Sequence, residues 1–170
     1  MGSMSWWPRL LWIAAVVLVA LTAGLTFARL LEMPVELGYD TSMYVRLNDA
    51  LYPHLSYVSA AVEVLAMLAT AALALVERGT KRFRPALSAA VLMAGALVLW
   101  LAVVRPANAV FATWAPQSLP PHWHQWRLRW EMGQVGSVVL LSAAFVLLLV
   151  ALTGPGRLIR TSPEPSPRTR

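Results

Sequence analysis

Cysteine is absent from this chain of 170 residues, which excludes structural disulfides, thiolate metal sites, redox dithiols and cysteine nucleophiles. Charge is scarce as well. Only 13% of the residues are Asp, Glu, Lys or Arg, about half of the roughly 25% usual in a globular protein. A chain without that solvating surface does not stay in water, so a soluble enzyme is excluded first. Acids are the scarcer sign, 8 against 14 Lys plus Arg, for a net charge of +6. A glycine-rich phosphate loop, a serine nucleophile elbow and a haem motif are missing too. What remains is apolar: 58% of the residues are hydrophobic and the mean hydropathy is +0.60. These residues fall in blocks rather than at amphipathic spacing, as in a bilayer protein.

Four blocks are long enough to cross a hydrocarbon core of about 30 Å at about 1.5 Å per helical residue. They are Leu10 to Ala28, Leu55 to Val76, Ala86 to Val104 and Val135 to Leu152. Continuous apolar runs of this length suit helices and lack the alternation of a membrane β-barrel. The expected fold is all-α: one domain over residues 10–152, a four-transmembrane-helix bundle with spans at about 10–31, 55–76, 86–104 and 135–152 and two long extracytoplasmic connections.

Charge sets the expected orientation. Arg9, then Arg78, Lys81, Arg82 and Arg84, then Arg157, Arg160, Arg168 and Arg170 fall on one side; Arg29, Arg46, Arg105, Arg127 and Arg129 fall on the other, over longer connections. The positive-inside rule places the first group, with both termini (residues 1–9 and 153–170), in the cytoplasm. The first apolar run exceeds the roughly 7 to 15 residues of a signal peptide, so it is expected to be retained. Pro155, Pro163, Pro165 and Pro167 keep the basic tail from continuing as helix, and a disordered end is expected. Membrane topology and anionic lipid account for the basic excess, so the expected partner is membrane lipid and not nucleic acid. Small residues at spacing four, Ala20, Gly24 and Ala28 and then Ala90 and Ala94, fit close packing within the bundle.

The polar chemistry gathers on the side away from the basic group. Glu32, Glu36, Tyr39 and Asp40 follow the first span, Asn48, Asp49, Tyr52 and His54 precede the second, and Arg105 and Asn108 end the third. The connections that carry them are longer than simple helix joints, and point to a lid. Glu63 lies deep inside its span, where a carboxyl is costly unless paired or protonated. It is either a proton donor or acceptor facing a substrate, or one half of an interhelical pair with Arg29 or Arg105. Before the fourth span, a helix starting soon after Pro120-Pro121 puts Arg127, Glu131 and Gln134 within about 60° of one another. Trp123, Trp126 and Trp130 then line the adjoining face, as an interfacial belt or as rings stacked on a flat ligand. Arg127 and Glu131 also fit a structural i,i+4 ion pair. His122 and His124 would diverge by about 200° on a helix, so they do not jointly hold an ion, and no metal site is expected with His54 either.

Several segments carry a resemblance: Phe27-Ala28-Arg29-Leu30-Leu31-Glu32-Met33-Pro34-Val35-Glu36-Leu37, Leu51-Tyr52, Arg105-Pro106-Ala107-Asn108, Trp114-Ala115-Pro116 and Trp126-Arg127-Leu128-Arg129-Trp130-Glu131. Over most of residues 10–152 the chain resembles bacterial members of the anthrone-oxygenase-like family of small four-helix membrane proteins. Glu32, Pro34, Asn108, Trp126, Arg127, Trp130 and Glu131 look like the motif positions. The resemblance implies a bacterial plasma membrane, and an oxygenase label that comes from fungal relatives acting on aromatic polyketides. Histidine commonly stands in relatives where this chain has Arg29 and Gln134, so a histidine role is replaced here, or the Arg and Gln bind a polar substrate group.

Two functions fit. In the first, the protein binds, and in its enzymatic form transforms, a hydrophobic aromatic small molecule without any bound cofactor. Glu63, Glu32, Glu131 and Arg127 are then the candidate catalytic residues, and Arg29, Arg105, Asn108, Trp123, Trp126, Trp130 and Gln134 the candidate substrate-binding ones. In the second, it is a non-catalytic subunit of a homo-oligomer or larger membrane assembly, with a structural polar cap. That alternative predicts cap carboxylates all paired with arginines and no enclosed cavity reaching Glu63.

Overall fold

Hydrocarbon offers a backbone N–H or C=O no water to bond, so an apolar segment must satisfy its own backbone, and a helix does so internally. Among the described residues four helices are long and apolar enough to cross a membrane: Trp7–Glu36, His54–Val76, Phe83–Phe111 and Trp123–Thr153. The computed structural model describes residues 6–36, 38–50, 52–114 and 120–153, without the side chains of Thr41, Asn48, Asp49, Tyr52 and Pro53. Of the tail expected to be disordered, Thr153 ends the last helix and residues 154–170 lie outside the described residues, as do residues 1–5 and Leu37, Leu51, Ala115 and Pro116 of the quoted motifs.

In chain order the elements are α1 (Trp7–Glu36), α2 (Thr41–Ala50), α3 (Tyr52–Val76), α4 (Phe83–Leu99), a π-helical turn (Trp100–Val104), α5 (Arg105–Phe111) and α6 (Trp123–Thr153). Each membrane helix extends beyond its apolar block. Pro8 and Pro85 sit in first turns, where the missing N–H has no helical partner to lose. Between α3 and α4, Gly79 adopts φ +82, a conformation that costs glycine nothing.

The third span is not a uniform helix. Pro106 has no N–H to give the carbonyl of Ala102, and its ring crowds the preceding turn. The helix widens there into the π turn, with the Arg105 N–H bonded back to Trp100 O. From α6, Arg129 Nη2 donates to the Ala102 carbonyl at 3.3 Å, supplying the bond that Pro106 cannot. The same stretch of α6 comes very close: a Cβ at Gly133 would lie 2.8 Å from Val104 Cγ2 and 3.1 Å from Val103 Cγ1.

α1 packs on α3 and α6, and α4 packs on the same two helices, closing a ring. Neighbours run antiparallel. Trp12 near the start of α1 donates Nε1 to Glu77 Oε1 just past α3 at 2.9 Å. Arg82, just before α4, donates Nη2 to Leu152 O near the end of α6 at 3.5 Å. One end of the bundle therefore carries Arg9, Arg78, Lys81, Arg82 and Arg84 and is called the basic end. The other, where α1 ends, α3 and α6 begin and α5 lies, is called the polar end.

Small side chains fill the basic half: Ala15, Ala66, Ala89, Ala96, Ala144 and Ala151 interleave with a few larger ones such as Leu73, Met93 and Leu148. Leu10, Ile13, Val17 and Leu21 of α1 point outward. Lipid is as apolar as leucine, so close packing rather than escape from water holds such helices together. The stripe Ala20, Gly24 and Ala28 does not serve this purpose. Gly24 and Ala28 are exposed, and nothing lies within 4 Å of a Cβ built at Gly24. α1 turns Trp12, Ala15, Val19 and Thr22 inward instead, the face on which the Trp12 indole reaches its carboxylate.

Candidate functional site

Each membrane helix carries polar residues at helical spacing near the polar end. Ser56, Ser59 and Glu63 share a face of α3, Trp130, Gln134 and Ser137 share a face of α6, and Thr26 and Arg29 share a face of α1. These faces meet at a cavity of about 60 Å³, and Trp100, Val104 and Asn108 of the third span complete its wall. The π turn and the prolyl kink shape that wall, so the irregularity in the backbone lies at the cavity.

Glu63 is 8% exposed, lines the cavity, and has no hydrogen-bond or ion-pair partner among the described residues. The expected pair with Arg29 or Arg105 is thus not formed. Arg29, also in the wall, gives Nη1 to Glu32 Oε2 at 2.8 Å, one turn away on its own helix. The i,i+3 partner is held in place by α1 itself, whereas Glu63 belongs to another helix. Arg105 is exposed and is not part of the cavity wall.

Above the cavity sits an aromatic cap. α2 lays Tyr44 and Val45 against Val104, Ala107, Phe111, Trp114 and Trp130. Tyr44 meets Phe111 edge-on at 6.2 Å and lies under the Arg127 guanidinium, whose Cζ is 4.8 Å from the ring centroid. Arg127 Nε donates to Glu131 Oε1 at 2.9 Å, and both residues are buried, at 6% and 9% exposure. Arg127 Nη2 and Trp114 Nε1 are buried with no partner among the described residues. Trp130 links cap to cavity, donating Nε1 to Asn108 Oδ1 at 2.8 Å. Asp40 starts α2 as its cap: its carboxylate accepts the Met43 N–H at 2.9 Å and the Ser42 hydroxyl at 2.8 Å. Those two bonds, the Met43 one foremost, hold the Asp40 carboxyl below its usual range.

The structure therefore brings Glu63, Arg29, Asn108, Trp130 and Gln134 together in one wall. It sets Arg127 and Glu131 in the cap, with Trp123 and Trp126 packed half-buried around them. Glu32 is exposed beside Arg29. His54, His122 and His124 are exposed, and among the described residues no three His, Asp or Glu side chains gather as metal ligands. Ser56, Ser59, Ser137, Trp100 and Tyr44 belong to the site without having been singled out from sequence. Polar residues at spacings of three and four within otherwise apolar spans are the signal that could have found the serines.

A buried carboxyl beside a guanidinium and two amides can exchange a proton with a bound molecule while the nitrogen donors hold that molecule's oxygen. Neither a protein-family model, nor a curated protein, nor a solved structure matches this chain.

Proposed function

We propose that this chain is a membrane protein of the bacterial plasma membrane that binds a hydrophobic, oxygen-bearing aromatic molecule at the polar end and acts on it by acid–base chemistry. Both termini face the cytoplasm in this reading, which the basic residues of the opposite end support. The observation that carries the function is Glu63, a buried carboxyl with no partner among the described residues, facing a cavity to which all four spans contribute. Unpaired ionisable groups inside a membrane domain mark functional sites by default.

In this reading Glu63 takes a proton from an acidic ring carbon. Arg29 and Gln134 donate to the oxygen on which the enolate charge develops, and Trp100 and Trp130 hold the ring. An electron-rich enolate of the anthrone type reacts with oxygen directly: the ring methylene becomes a carbonyl, and the second oxygen atom leaves as water. The buried Arg127–Glu131 pair fixes the helix face that bears Trp130 and Gln134. The resemblance to anthrone-oxygenase-like proteins supports the same substrate class.

One measurement favours the structural alternative. The cavity, about 60 Å³, holds a few water molecules and is well below the roughly 300 Å³ of small-molecule pockets. An aromatic ligand enters only if the helices that line the cavity move apart at the polar end. Purification in mild detergent followed by mass spectrometry of copurifying lipophilic compounds separates the two readings. Ligand binding predicts an aromatic, oxygen-bearing compound that is retained by the natural chain and lost from Gln134→Leu and Glu63→Leu. The accessory role predicts no such compound, and an unchanged cellular phenotype for Glu63→Gln.

A further inference from the structure

The basic end holds cations that no carboxylate among the described residues neutralises. Arg9, Arg78, Lys81 and Arg84 are exposed around the α3–α4 turn and the start of α1, with Arg82 half-buried between them. None of the five has an ion-pair partner among the described residues. Glu77 is the only acid there among the described residues, and its two carboxylate oxygens are taken, Oε1 by Trp12 Nε1 at 2.9 Å and Oε2 by the Thr80 hydroxyl at 2.8 Å. Arg82 is fixed rather than free: its guanidinium lies over the Trp12 ring, Cζ 5.8 Å from the centroid, and reaches Leu152 O, while its Nε is buried with no partner among the described residues. At the polar end Arg29 and Arg127 each hold a carboxylate, while Arg105 and Arg129 are exposed with no ion-pair partner among the described residues. Trp6 and Trp7 are exposed at 72% and 49% beside Arg9, at the level where indoles meet headgroups.

We propose that the basic end is a binding surface for the phosphate headgroups of anionic phospholipid, with Arg82 as its fixed centre and Arg78, Lys81 and Arg84 as its rim. Charge complementarity selects this occupant. A surface of exposed guanidinium and ammonium groups at the edge of a hydrocarbon-spanning bundle meets headgroup phosphates first, and each cation near such a surface favours anionic over neutral lipid. The inference is independent of the chemistry assigned to Glu63.

The test uses the full-length protein in nanodiscs or mixed micelles prepared with equal amounts of phosphatidylglycerol and phosphatidylcholine. Retained lipid is then quantified by native mass spectrometry. Phosphatidylglycerol is expected to be enriched, by about fivefold for each cation that contributes fully, and the enrichment falls as salt is raised. Arg78→Gln/Lys81→Gln/Arg84→Gln lowers it, Arg82→Gln lowers it further, and a set of Arg→Lys replacements at 78, 82 and 84 preserves most of it. Equal retention of the two lipids by the natural chain overturns the proposal whatever the variants do, as does enrichment that persists undiminished when all four cations are neutralised.

Discussion

The two halves of the bundle are built on different principles. In the basic half, alanines bring the helices together and the interior is closely filled. In the polar half the fillers are large rings, the third span is bent by Pro106 and its π turn, and a cavity is left between the helices. Tight alanine packing gives membrane helices their cohesion, whereas bulky rings and an irregular backbone leave space that polar groups can occupy. Stability is thus expected to depend on side-chain volume at one end and on polar pairing at the other.

The strongest challenge to that contrast is Arg127→Met. It leaves Glu131 buried without its guanidinium, and removing one partner of a buried pair costs about 3–5 kcal/mol. Unfolding in detergent should show that loss, and Arg127→Met/Glu131→Leu should recover most of it. If the single variant unfolds like the natural chain, pairing is not what holds the polar half. In the basic half the matching variant is Ala144→Leu, at a fully buried position. It overpacks the interface at a cost of about 1–3 kcal/mol, while Ser59→Ala, facing the cavity, should change stability much less.

Gly133 and Gly136 sharpen the comparison inside the polar half. At Gly133 a methyl would strike Val104 and Val103, β-branched side chains that cannot swing away. At Gly136 the obstacle is Leu99 Cδ2, at 2.7 Å, the end of a flexible chain. Gly133→Ala should therefore destabilise by about 1–3 kcal/mol. Gly136→Ala should fall within about 1 kcal/mol of the natural chain, because alanine's better helix propensity offsets a small shift. Equal effects at the two sites would contradict the close approach of α6 to the π turn.

The smallest effect concerns the cap. The Asp40 carboxyl titrates lower in the folded chain than when unfolded, so its contribution to α2 is present above the unfolded value and is lost as pH falls through the folded one. The protection of α2 amides from hydrogen exchange, taken relative to the intrinsic rate at each pH, should fall on acidification, and Asp40→Asn should remove that pH dependence while keeping the helix capped.

The four spans were legible because length and apolarity alone require a helix in hydrocarbon. The alignment of Arg127, Glu131 and Gln134 was legible too, since α6 begins at Trp123 and period decides the rest. Other features were not. The π turn depends on how Pro106 is accommodated against α6, and Arg129 reaching Ala102 O is a tertiary fact. The burial of Tyr44 depends on α2 folding back over α5, which no periodicity within α2 announces. The stripe of small residues on α1 misled for a related reason: spacing marks a face but does not say what it meets.

Because the natural chain has no cysteine, single cysteines placed along α3 can report directly on the cavity around Glu63. A small water-soluble thiol reagent should modify the chain with Cys at position 56, 59 or 63, at rates that fall with depth, and leave positions 65 and 68, which face outward, unmodified. Silence at position 63 equal to that at 65 and 68, or modification of the outward positions instead, would contradict a polar cavity reaching Glu63.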